Sequence, residues 1–170
     1  MSAPAERTPR KPGGTGAARR SAARLAAVQA LYQIDHSGTA ASIVLEEFLR
    51  FRLGESFDTE NDVAPDKALF TQIVRGVTSR GAELDEPIGA ALTERWTLDR
   101  IEIILRAILR AGVYELLAAP STPARVIITE YVDVAHAFYE GQEPGMVNGL
   151  LDRIARRLRP AEFGAPEGDW

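Results

Sequence analysis

The sequence predicts an all-α fold of six to seven helices, with one helix buried at the centre. Three observations carry this expectation. Apolar residues recur at i, i+3 and i+4 through each segment, and no stretch shows the period-two alternation of a half-buried strand. Breakers separate those segments at Gly38, at GESFDTENDVAP (54–65), at Pro120 and at 141–145. Finally, IEIILRAILRAGVYELLAA, which leads to Pro120, is apolar at 101, 104, 105, 108, 109, 113, 116 and 117. Those positions cover well over half of a helix's circumference, so this helix must be buried on several sides.

In chain order, residues 1–18 (MSAPAERTPRKPGGTGAA) lack large apolar groups and read as a disordered basic tail. Arg20 to His36 has no Gly or Pro, and Ala27, Val28, Leu31 and Ile34 mark one helical face. A second helix runs from about Ala41 to Phe51 with Val44, Leu45, Phe48 and Phe51 on its apolar side. The acidic 54–65 loop precedes a third helix from about Asp66, whose stripe is Leu69, Phe70, Ile73, Val74 and Val77. Leu84 and Asp85 read as a break, and Pro87 suits the first turn of a short fourth helix ending near Trp96. Thr97 is placed as the N-cap of the central helix, with Asp99 in its first turn. Thr122 and Pro123 then open a helix carrying Ile127, Ile128, Tyr131, Val134, Ala135 and Phe138. A last helix follows the 141–145 turn with Val147, Leu150, Leu151, Ile154 and Leu158 inward, so the folded body spans 19–158 and a C-terminal tail 159–170.

The chain's 170 residues suffice to bury one core. It has no cysteine, which excludes disulfides, a thiolate nucleophile and Cys-based zinc or iron–sulfur sites. No apolar run reaches the roughly 18 residues of a membrane span, and the basic start is not followed by a signal-peptide core. A soluble cytoplasmic protein is expected. There is no GxGxxG, P-loop, GxSxG or HExxH. Asp133 and His136 can face each other on a helix, but they make two ligands at most. Glu46 and Glu47 are adjacent and point apart, and the acids at 54–62 lack calcium-loop spacing. With no enzyme site and no cofactor expected, binding is the better hypothesis.

Charge distribution gives that hypothesis a direction. The net charge of −4 hides a split, because residues 1–24 hold six Lys/Arg against one Glu, +5, which leaves −9 for the rest. A basic arm on an acidic body suits a polyanion partner. In RRSAARLAAVQALYQ (19–33), Arg19, Arg20 and Arg24 crowd a helix start, where the dipole disfavours cations and phosphates would compensate. Gln29 can bond a base edge and Tyr32 can stack on an unpaired base, although Tyr32 also fits a half-buried core position. On the central helix, Arg106, Arg110 and Tyr114 form an i,i+4 row with Glu115 beside it, either an internal network or a protein-binding strip. Glu102 and Arg106 have the spacing of a plain intrahelical pair. In PGMVNGLLDRI (144–154), Asn148 and Gly149 are poor helix formers, which suggests close packing at Gly149 and a backbone bond from Asn148.

Together, RRSAARLAAVQALYQ (19–33), FTQIVRGV (70–77), ILRAGVYELL (108–117) and MVNGLLD (146–152) resemble the NusB family of bacterial transcription antitermination factors, in that family's order and separations. The resemblance covers residues 19–158. It implies two three-helix-like halves around a central helix, and a non-enzymatic factor that binds the boxA element of nascent ribosomal RNA leader transcripts together with NusE, a ribosomal protein, within the RNA polymerase antitermination complex. By position, Arg19, Arg20 and Arg24 inherit RNA binding, with Gln29, Met146 and Asn148 as further candidates. Tyr32, Arg106, Arg110, Tyr114 and Glu115 become candidates for the protein partner. Thr129 stands where the family often has Asn before Glu, and Met146 where it often has Phe, which removes a stacking aromatic. A NusB-like domain also precedes the catalytic domain of some much longer RNA cytosine methyltransferases, so a stand-alone factor is expected here. The alternative is a helical module that mainly self-associates as a homodimer, with the basic arm incidental.

Overall fold

Helix boundaries follow from local capping chemistry in the computed structural model, which describes residues 14–53, 63–92 and 97–164. Among them are seven α-helices and no strand: α1 Gly16–Ser37, α2 Ala41–Glu47, α3 Lys67–Ser79, α4 Gly81–Ala91, α5 Ile103–Ala118, α6 Ala124–Phe138 and α7 Glu143–Leu158. Thr15 caps α1 by accepting the Ala18 N–H at 3.1 Å. Gly38 ends it with φ 70°, a left-handed turn open to glycine, and returns its N–H to the Ile34 carbonyl. Asp66 caps α3 by accepting the Leu69 N–H at 3.0 Å.

The expected centre is α5, which packs against α1, α3, α4, α6 and α7. Leu105, Ile108, Leu109, Val113 and Leu116 are buried along it. On one side, α1 to α3 contribute Ala27, Val28, Leu31, Val44, Phe48, Phe70, Ile73 and Val74. On the other, α4, α6 and α7 bring Leu84, Ile88, Ile127, Tyr131, Val147, Leu151 and Ile154. Two glycines let neighbours close on α5. A Cβ at Gly112 would meet Leu151 of α7 at 3.0 Å, and one at Gly76 of α3 would overlap the Tyr114 ring.

Several boundaries differ from expectation. Helix α1 starts at Gly16, so 14–18 is not tail; residues 1–13, and the acidic 54–62 stretch, lie outside the described residues. Beyond Glu47, α2 widens into a π-helical turn, Phe48–Arg52. That wider turn shifts the register, so Phe51 is 71% exposed rather than part of the stripe, while Leu53 is buried. Leu84 and Asp85 do not break the chain. They sit inside α4, with Pro87 buried in its second half. The Trp96 end expected for that helix lies outside the described residues. Thr97 leads only a 3-10 turn, Leu98–Arg100, and α5 begins later, with Glu102 at its N-cap. Pro123, not Thr122, occupies the cap position of α6. Residues 159–164 are not a loose tail: a 3-10 turn, Pro160–Phe163, packs against α7.

Candidate nucleic-acid and partner interfaces

The three arginines at the start of α1 have three different fates. Arg20 is exposed, with no ion pair among the described residues. Arg19 is half-buried, and its Nε donates to the Ala64 carbonyl at 3.0 Å, while its own carbonyl accepts the Asp66 N–H at 3.0 Å. Arg24 is 3% exposed and grips Glu115 of α5 with both arms of its guanidinium, Nε at 2.8 Å and Nη2 at 2.9 Å. Arg24 is therefore not a surface phosphate contact. One turn further in than Arg20, it points at the central helix.

Around that pair lies a buried polar cluster. Glu115, 1% exposed, also accepts the Tyr131 hydroxyl of α6 at 2.5 Å. Glu130 places a carboxylate oxygen 3.5 Å from Arg24 and accepts the Ser21 hydroxyl at 2.7 Å. Burial opposes the charge on Arg24, but the Glu115 hydrogen bond and the surrounding carboxylates outweigh it and hold the guanidinium above its ordinary pKa. Burial, reinforced by the Glu115 charge, pushes the Tyr131 phenol well above its usual ionisation range. Glu115 thus belongs to the interior, and the network, not a partner strip, accounts for it.

The rest of the central-helix row remains on one face. Arg110 binds Asp85 of α4 through Nε at 2.7 Å and Nη2 at 2.8 Å, and reaches Asp35 of α1 at 3.5 Å. Its hydrogen bonds to Asp85 raise its pKa further. Tyr114 is half-buried over Gly76, with the Arg80 guanidinium 5.9 Å from its ring centre. Arg106 is half-buried and makes no pair with Glu102, which lies outside the helix at its N-cap. Tyr32 is half-buried and stacks on His36 with ring centres 5.3 Å apart. A cleft of about 240 Å³ opens between these elements, with Leu31, Ile34, Asp35, Thr78, Ala107 and Arg110 in its walls.

The remaining RNA candidates are scattered. Gln29 is exposed, but it follows Arg20 by nine residues, which at about 100° per residue puts it on the opposite side of α1. Met146 is half-buried against the core, whereas Asn148 is exposed on α7. Close packing does not explain Gly149, because a Cβ there would have nothing within 4 Å. Asn148 makes no side-chain hydrogen bond among the described residues, leaving an exposed, flat Asn–Gly step. A separate groove of about 610 Å³ between α2 and α3, lined by Leu45, Leu49, Val74, Arg50 and Arg75, holds none of the candidates. Asp133 and His136 are exposed on α6, and no group of three His, Cys, Asp or Glu among the described residues could hold a metal ion. No described helix is long and apolar enough to cross a membrane.

Sequence reasoning missed Ser21, Asp35, Asp85, Glu130 and Tyr131. Their partners lie far along the chain, 109 residues away for Ser21 and Glu130 and 25 for Arg110 and Asp85, so no local spacing announces them.

Comparison with known proteins decides the family. The NusB family model matches residues 21–156, from the second turn of α1 to the last turn of α7. The chain belongs to the NusB family. It is 48% identical over 155 residues to the transcription antitermination protein NusB of Rhodopseudomonas palustris strain BisB18, covering 91% of this chain and 92% of that one. It is 51% identical over 145 residues to the protein of the same name from Nitrobacter hamburgensis, covering 85% and 91%. Among solved structures, T. maritima NusB is similar with a TM-score of 0.70 and 30% identity, over 85% of this chain and 96% of that one. A chain in the crystal structure of antitermination factors NusB and NusE in complex with double-stranded RNA shares the fold, with a TM-score of 0.69 at 22% identity over 84% of this chain and 99% of that one.

Proposed function

We propose that this NusB-family chain is a non-enzymatic, cytoplasmic transcription antitermination factor. It binds the boxA element of nascent ribosomal RNA leader transcripts together with NusE, as part of the RNA polymerase antitermination complex. The observation that carries the RNA half is the exposed Arg20 at the head of α1, on a chain whose first 24 residues hold +5 while the remainder holds −9. A polyanion is drawn to that end of the molecule and repelled elsewhere. Arg20 and the free edge of Arg19 take phosphates, while Gln29, Met146 and Asn148 are additional contacts on other faces. The half-buried residues Tyr32, Arg106, Arg110 and Tyr114, together with the cleft that Arg110 lines, are the seat for NusE.

The experiment is a boxA RNA titration, with and without NusE, across a salt series. Arg20→Ala is expected to weaken binding and to flatten the dependence of log affinity on log salt by about 0.7. Adding Arg19→Ala is expected to flatten it by up to about 0.7 more, and to cost about 0.5–1.5 kcal/mol of stability through the lost Nε bond to the Ala64 carbonyl. Negligible RNA affinity in both arms, with self-association persisting, would replace this reading by the homodimer alternative.

A further inference from the structure

Apolar packing of α1 begins only at Ala23. Before it, Gly16, Ala17 and Arg20 are exposed, Ala18, Arg19, Ser21 and Ala22 are half-buried, and none has a large apolar side chain. The core sets the axis of α1 from Ala23 onward but places no large apolar side chain under the turns that carry the arginines. Polar ties hold those turns against the body. On one side, the Arg19 Nε and carbonyl are bound to the 64–66 backbone. On the other, the Ser21 hydroxyl donates to Glu130 of α6, whose carboxylate also lies 3.5 Å from Arg24. Arg24 is already fixed to Glu115, so Glu130 is free to spend its acceptor capacity on Ser21.

We propose that Ser21 and Glu130 are positioning residues which, without touching RNA, set the direction in which α1 presents Arg19 and Arg20. This rests on the reading that the head of α1 binds RNA. A tether and a phosphate contact leave different signatures. Losing a phosphate contact lowers both affinity and the salt slope, whereas a mis-aimed arm loses affinity while the number of counterions released stays the same.

The test measures boxA RNA affinity with NusE present, across a salt series, for Ser21→Ala, Glu130→Ala, the double variant, Ser21→Thr and Glu130→Gln. Ser21→Ala and Glu130→Ala are each expected to weaken binding roughly three- to tenfold, the effect of one lost hydrogen bond, with the salt slope unchanged. The double variant should be no weaker than Glu130→Ala, which already removes the Ser21 bond along with the 3.5 Å contact with Arg24. Ser21→Thr and Glu130→Gln keep a donor and an acceptor and should bind as the parent does. Thermal unfolding of each variant checks that the body is intact. The proposal is overturned if both alanine variants bind like the parent, if the slope falls with the affinity, or if the two losses add. Arg20→Ala run alongside separates the two ideas. If it too leaves affinity unchanged, the RNA-binding arm itself is wrong; if it alone weakens binding, only the tether is.

Discussion

Arg24 and Glu115 show how one residue's surroundings decide its role. A guanidinium and a carboxylate taken out of water are costly apart, and here each satisfies the other through two hydrogen bonds. Arg24→Ala leaves Glu115 charged and buried, and is expected to cost about 3–5 kcal/mol in urea unfolding. Arg20→Ala, on the surface, should stay within about 0.5 kcal/mol of the parent. From sequence the three arginines form a single cluster, and nothing local distinguishes them. The distinction lies in a carboxylate 91 residues away. Tyr131 adds a pH signature. Its folded ionisation is raised, whereas an unfolded tyrosine ionises near pH ~10, so its contribution is complete below that pH and is lost as the pH rises above it. Stability should fall above pH ~10, and Tyr131→Phe should flatten that fall. An equal decline in the variant, followed by circular dichroism, would assign the effect to other groups.

At the scale of single elements, two glycines predict opposite outcomes. Gly76 sits under the Tyr114 ring, so Gly76→Ala must push α3 from α5 and is expected to cost about 1–3 kcal/mol. Gly149 lies mid-helix on α7 with open space around it, so Gly149→Ala should stabilise by about 0.4–1 kcal/mol. Should that stabilised variant also bind RNA less well, the flat Asn–Gly step is a contact surface. Helical periodicity made nearly every element legible, because α3, α6 and α7 bury most of the apolar residues that their spacing singles out, with Leu69, Phe138 and Leu158 half-buried at the margins. It failed where backbone geometry departs from 3.6 residues per turn or ignores a usual breaker. The π-helical turn turned Phe51 outward, and α4 runs through Pro87 because neighbouring helices hold it in place.

For the whole molecule, sharing α5 between two halves means that neither half has a core of its own. Leu109, fully buried on α5, is expected to cost about 2–5 kcal/mol as Leu109→Ala, and both halves should unfold in one transition. Separate melting of probes in α3 and α7 would contradict that. The fold was legible because a helix apolar around most of its circumference can only sit between others. The candidate site was legible only in outline. Charge asymmetry singled out the start of the chain, but which cations face water depends on tertiary partners that composition does not reveal.

Arg159, just past α7, gathers the carbonyls of Glu115, Leu116, Ala119 and Thr122 with one guanidinium. Burial of Glu115 in turn anchors Arg24 at the head of α1. Order of synthesis gives this a temporal meaning. The ribosome makes α1 well before position 159, so the far end of the central helix keeps open carbonyls until Arg159 has emerged. A nascent chain stalled before residue 159 already holds every partner of Arg19, Ser21 and Arg24, yet it leaves the Glu115, Leu116, Ala119 and Thr122 carbonyls open. The far end of the central helix is therefore sealed only after the polar contacts at the head of α1 can form.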